Sequence, residues 1–142
     1  MRLLFLVVVG FYGVFVVEAG RKWVDQGVEI EVLYEPSNCT YRSQMKDMLT
    51  TDYIGKFPDG KKFDSTYDRK EAMTYIMGQG DVIKGCEIGT MKMCKGEKRY
   101  LVIPPNLAYG STQYGQIPPN STLTFEIVLT DLQEDPFRAF DP

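Results

Sequence analysis

The stretch Val102-Ile-Pro-Pro-Asn-Leu-Ala-Tyr-Gly-Ser-Thr-Gln-Tyr-Gly-Gln-Ile-Pro-Pro-Asn-Ser-Thr-Leu-Thr124 decides how the chain is read. Two Pro-Pro pairs bracket a loop rich in glycine and aromatics. Proline supplies no backbone N–H and fixes φ, so each pair marks a turn rather than strand interior. The segment Glu97 to Ile103 ahead of the first pair reads as a strand, and so does Thr122 to Leu132 after the second. In the latter Leu123, Phe125, Ile127 and Leu129 share one parity, which predicts a strand with those four side chains on the core.

The same period of two recurs upstream. Val28, Ile30, Val32 and Tyr34 alternate with Glu29, Glu31 and Leu33, a half-buried strand that Pro36 ends. Asp47 to Phe57 forms a second run and enters the turn tetrad Phe57-Pro58-Asp59-Gly60, the signature of a hairpin. Phe63 to Tyr67 and Ala72 to Met77 read as shorter strands, the latter stopped at Gly78-Gln79-Gly80. One helix signal follows, with Asp81 as N-cap, Val82, Ile83 and Cys86 on one face and Gly89 as C-terminal stop. Gly85 inside it costs about 1 kcal/mol against alanine, which predicts close packing on the sheet. The pattern gives an α+β fold, an antiparallel sheet of about five strands covering one short helix. Met73, Met77, Met91 and Met93 read as core filling, and Lys70-Glu71 and Lys95-Gly96-Glu97-Lys98-Arg99 as solvated faces and a turn.

Residues 1–19 carry Arg2, an apolar run from Leu3 to Val17 and small residues near Ala19, a secretory signal peptide. The run is shorter than the ~20 residues of a membrane span, so no membrane anchor is expected after cleavage. Residues 20–134 then form one domain and 135–142 a loosely held tail. The net charge is −3 and no basic run is interleaved with aromatics, so nucleic acid is not an expected partner. The chain has no histidine. That removes imidazole triads and the usual zinc sites, and neither a metal nor a cofactor is expected. Three cysteines in an oxidising compartment allow one pair and one free thiol. Asn38-Cys39-Thr40 and Asn120-Ser121-Thr122 are glycosylation acceptors by pattern. The final residues Phe140-Asp141-Pro142 are not a retention tetrapeptide, which leaves both the endoplasmic reticulum lumen and secretion open.

The ordered series Tyr53-Ile54-Gly55, Phe63-Asp64-Ser65-Thr66, Val82-Ile83-Lys84-Gly85, Ala108-Tyr109-Gly110, Ile117-Pro118-Pro119 and Phe125 resembles the FKBP family of peptidyl-prolyl isomerases over residues 27 to 133. Taken singly, Phe63, Val82, Ile117 and Phe125 are ordinary core residues and Asp64 a turn carboxylate; the functional reading comes from their arrival as a set. The resemblance implies a sheet wrapped around the helix and a catalytic cavity of Tyr53, Phe63, Asp64, Val82, Ile83, Tyr109, Ile117 and Phe125. In that cavity Asp64 and the Tyr109 hydroxyl would be polar handles, and the Ile83 N–H a donor to the substrate. It also implies substrate contacts from Met73, Cys86 and Gln116, and a disulfide between Cys39 and Cys94, which leaves Cys86 as the odd thiol.

The implied activity is cis–trans isomerisation of Xaa-Pro bonds during folding of secretory proteins, with proline-containing chains as partners. Two departures lie at the implied site. Cys86 stands where such domains commonly carry a tryptophan floor, a truncation that weakens ring binding by ~1–3 kcal/mol. The loop from Tyr109 to Ile117 is shorter by a residue, with Gln116 at an often aliphatic position, so macrolide ligands are expected to bind weakly. The alternative is a catalytically weak or inactive module that binds proline-containing chains or a partner protein.

Overall fold

The computed structural model describes residues 20–140, so the leader read over residues 1–19 lies outside the described residues. Among the described residues no helix is long and apolar enough to cross a membrane. The elements are β1 (Lys22–Asp25), β2 (Val28–Tyr34), β3 (Met48–Lys56), β4 (Lys62–Ser65), α1 (Thr66–Arg69), β5 (Met73–Ile76), α2 (Lys84–Thr90), β6 (Lys98–Ile103) and β7 (Leu123–Gln133). They build a seven-stranded sheet in the order β1-β2-β6-β7-β3-β4, with β5 also paired to β3. Every pairing is antiparallel.

The α+β reading holds, with more strands than the expected five. The additional hairpin strand β1 turns into β2 through Gln26 and Gly27, both at positive φ as a two-residue hairpin turn demands. The segment expected as a strand from Phe63 to Tyr67 is strand only to Ser65. There the Ser65 hydroxyl accepts from the Asp68 N–H and starts the single turn of α1.

The parity of β7 is as read: Leu123, Phe125, Ile127 and Leu129 are all buried, together with Val28, Ile30, Leu49, Leu101 and Ile103. Met77 and Met93 fill the same core, while Met73 and Met91 pack on it partly exposed. Between this sheet and α2 there is no room for side chains at two helix positions. A Cβ at Gly85 would stand 2.3 Å from Ile103 Cγ2, and one at Gly89 2.3 Å from Leu101 Cδ1.

Gly89 is therefore a contact residue within α2 and not its stop. Nor does Asp81 cap the helix: α2 begins at Lys84 behind an Ile83 cap that makes no side-chain bond, and the Asp81 carboxylate accepts from the Ile76 N–H at 3.2 Å. Glu87 takes up the loop before the helix, accepting from Gly78 N–H at 2.9 Å and Gly80 N–H at 3.2 Å.

The charged run near Lys95 divides by face. Lys95 and Lys98 face outward, but Glu97 and Arg99 are buried, which corrects the reading of the whole run as solvated. Burial is tolerable because each charge is paired and hydrogen-bonded. Arg99 Nε donates to Glu97 Oε1 at 2.7 Å. Its other nitrogens donate to the carbonyls of Gly89, Met91 and Lys92 at 2.9, 2.9 and 3.1 Å, so the guanidinium closes the C-terminal end of α2.

Beside it the Cys39–Cys94 disulfide joins residues 55 apart, with Cα atoms 5.7 Å from one another. The segment after β7 is anchored rather than loose. Asp135 N–H donates to the buried Asp47 carboxylate at 3.0 Å, and Arg138 reaches the same carboxylate and the Met45 carbonyl.

Candidate functional site

A cavity of about 240 Å³ opens where β3, β4, β5 and β7 meet the N-terminal end of α2 and the loop after β6. Tyr53 enters from β3, Phe63 and Asp64 from β4, Met73 from β5, Val82 and Ile83 from the approach to α2, Cys86 from its first turns, Tyr109 from the loop and Phe125 from β7. The residues named in the sequence reading thus converge, with two exceptions. Ile117 is buried in the core and Gln116 is exposed to solvent, and neither is part of the cavity wall.

The wall is a set of edge-on rings. Phe63 and Phe125 stand with centroids 5.7 Å apart at 88°, and Tyr53 and Phe125 at 5.7 Å and 72°. These T-shaped contacts fix ring orientation as well as filling space. Tyr109 lies flat against Tyr114, centroids 4.3 Å apart and planes within 4°. Tyr114 is held by a tight bridge to Ile117, in which each N–H donates to the other's carbonyl. That bridge is what Ile117 contributes to the site: it orders the loop from behind the wall.

The polar corner is a three-residue array. The Tyr53 hydroxyl donates to Asp64 Oδ2 at 2.5 Å, Ser65 N–H donates to Asp64 Oδ1 at 2.8 Å, and Arg69 pairs with the same carboxylate. Arg69 also donates to the Tyr53 oxygen at 3.1 Å and sits 5.4 Å from that ring's centroid. Burial opposes ionisation of Asp64, but the bonds from Tyr53 and Arg69 and the guanidinium charge outweigh it, so the carboxyl lies below the usual 3.8. Burial and the bond to Asp64 push the Tyr53 phenol up to about 12.

Cys86 and Tyr75 form the floor. The Thr90 hydroxyl donates to the Cys86 carbonyl at 2.7 Å, so in their 2.8 Å contact it is the Tyr75 hydroxyl that donates to Thr90. Burial pushes the Cys86 thiol up to about 12. Every shifted group on the wall moves away from neutrality, which suits an apolar binding box rather than proton transfer.

Tyr75, Tyr114 and Arg69 are not singled out by the sequence, which offers Asp81 only as a helix cap. Tyr75 shares the parity of Met73 and was legible in principle, as was Tyr114 in the aromatic loop. Nothing local announces that Arg69 returns across a helical turn to Asp64. Asn38 and Asn120, the acceptor asparagines, are both exposed in turns. Among the described residues Glu35, Cys94 and Glu97 approach one another closely. Cys94, however, is spent in the disulfide, and both carboxylates are held by arginines.

An antiparallel sheet wrapped on one helix, with an aromatic cavity and a tyrosine–aspartate–arginine corner, defines a class, and comparison with known proteins agrees. Residues 39–130 match the family model described as FKBP-type peptidyl-prolyl cis-trans isomerase. The chain belongs to that family.

It is 46% identical over 114 residues to the peptidyl-prolyl cis-trans isomerase FKBP7 of Mus musculus, covering 77% of this chain and 52% of that protein. It is 44% identical over 108 residues to FKBP10 of Homo sapiens, covering 75% of this chain and 19% of the relative. Among solved structures, FkpA from Escherichia coli superposes with a TM-score of 0.71 at 34% identity, covering 84% of this chain and 53% of that one. The match thus spans about half of the FKBP7 relative and a fifth of FKBP10.

Proposed function

We propose that this chain catalyses cis–trans isomerisation of Xaa-Pro bonds, with the proline ring seated in the aromatic cavity. The barrier of ~18–20 kcal/mol is lost amide resonance, so no proton need move. A twisted amide is less dipolar than a planar one, and an apolar box therefore favours the transition state over the ground state. The observation that carries the reading is the convergence of Tyr53, Phe63, Tyr109 and Phe125 around a cavity open to solvent. Beside them the Ile83 N–H, which has no hydrogen-bond partner among the described residues, is available to a substrate carbonyl.

Asp64, held in place by Tyr53 and Arg69, orients the twisted amide, and Met73 and Cys86 contact the ring. The leader-like residues 1–19 and the disulfide support clients in the secretory pathway, met in the endoplasmic reticulum lumen or after secretion. The second reading, a module that binds proline-containing chains without turning them over, is favoured by the small Cys86 floor, which also weakens macrolide binding.

Exchange spectroscopy on a Leu-Pro peptide with residues 20–142 tests both. Catalysed exchange that disappears in Asp64→Val supports the isomerase. Exchange absent in the natural chain but gained in Cys86→Trp supports the binding module.

A further inference from the structure

We propose that the cavity selects prolines flanked by a lysine or arginine, and that Asp81 is the residue that reads the positive charge. This rests on the cavity being the proline site. Among the described residues its wall carries two carboxylates, Asp64 and Asp81, and no cationic side chain.

The charges around it cancel in pairs except one. Asp64 is neutralised by Arg69, and Glu87, under the loop before α2, by Lys84 at 3.6 Å. Asp81 has no cation within ion-pair distance among the described residues. Its Oδ2 accepts one N–H, that of Ile76, and the side chain is exposed at the rim. The rest of the wall points the same way, because aromatic faces are electronegative and attract cations. The outermost ring, Tyr114, is 59% exposed.

Asp81 and Ile83 line the same cavity, and a chain whose carbonyl meets the Ile83 N–H would have its neighbouring side chain within reach of this carboxylate. The net charge of −3 adds long-range attraction for basic chains. A glutamate at that place in the client meets repulsion from Asp81.

The test compares isomerisation and binding for three peptide pairs that differ only beside the proline, Lys-Pro and Pro-Lys, Gln-Pro and Pro-Gln, Glu-Pro and Pro-Glu. A single exposed charge contact gives a lysine-over-glutamate preference of roughly threefold to tenfold in kcat/KM at low salt. That preference shrinks in 0.5 M salt by screening. Asp81→Asn, which keeps an acceptor for Ile76, should collapse the ratio, and Asp81→Lys should invert it. Equal values for all three pairs in the natural chain would overturn the proposal while leaving the isomerase intact. Conversely, no exchange with any peptide, alongside tighter binding of the lysine pair in a chemical-shift titration, would remove the isomerase and keep the charge preference. A ratio that survives unchanged in Asp81→Lys would assign the selectivity elsewhere.

Discussion

The Tyr53 hydroxyl donates to the Asp64 carboxylate across 2.5 Å, and Arg69 closes the array by bonding to both. One residue from the centre of the sheet, one from an edge strand and one from a helical turn therefore hold an ion-paired carboxylate at the cavity mouth. Asp64→Asn removes the charge while keeping its shape and leaves Arg69 facing an uncharged amide. The expected result is a tenfold or greater fall in kcat/KM toward a Leu-Pro peptide with a melting temperature within a few degrees of the parent, measured by exchange spectroscopy and thermal unfolding.

Cys86 shows how burial governs reactivity at the floor. With its pKa raised from 9.0 to about 12, the thiolate population at pH 7.5 falls about a thousandfold, and the thiolate is the reacting species. Native protein should resist iodoacetamide for hours at that pH, whereas the chain unfolded in urea should be alkylated at Cys86 within minutes, as a mass shift. Rapid native alkylation would mean that the half-buried thiol ionises far more readily than its surroundings imply.

Gly85 and Gly89 invert the usual helix rule. In a free helix Gly→Ala gains about 1 kcal/mol, but here the new methyl would stand 2.3 Å from Ile103 or Leu101. Overpacking of that kind costs about 1–3 kcal/mol. Urea unfolding of Gly85→Ala should show a lower midpoint with an unchanged slope, and cavity binding should weaken because α2 carries Cys86 and is capped by Ile83.

Acid stability should be governed by the buried Asp47. Burial raises its pKa, but the N–H groups of Asp135 and Gln44, the Tyr41 hydroxyl and Arg138 outweigh that and hold it below 3.8. A depressed folded pKa gives stability that is full above the unfolded value, about 4, and lost as pH falls through the folded one. Urea midpoints should be flat from about pH 8 to 5 and drop below about 4. Asp47→Ala strands several buried donors and should cost about 2–4 kcal/mol at neutral pH.

Reduction of Cys39–Cys94 opens a loop spanning 55 residues. In the chain-entropy picture that removes about 4 kcal/mol. The reducing-agent effect on the urea midpoint should match that of Cys39→Ser. Reduced protein unfolding at the same midpoint as oxidised protein would show that the buried Glu97–Arg99 array alone secures this end of α2.

Much of this is legible in the sequence. The parity of Leu123, Phe125, Ile127 and Leu129 and the hairpin at Phe57-Pro58-Asp59-Gly60 are local statements about backbone geometry. They survive because a strand's period and a turn's φ values are set by a few adjacent residues. The errors have the opposite character. Asp81 has the side chain of an N-cap, yet the helix starts three residues later, because β5 offers its Ile76 N–H to that carboxylate.

The sequence by itself determined where most strands and turns fall and which strand faces meet the core, since these depend on periodicity and residue identity, while the ordered set Tyr53, Phe63, Asp64, Ile83, Tyr109 and Phe125 was implied by its resemblance to the FKBP family. Tertiary structure alone decided that Arg69 neutralises Asp64, that Glu97 and Arg99 are interior, that Tyr75 joins Cys86 as floor, and that Ile117 supports the wall from behind. Each of those depends on which groups far apart in the chain come within hydrogen-bond distance. The energy of a charge or hydroxyl is set by the partner it finds there, not by its neighbours in sequence.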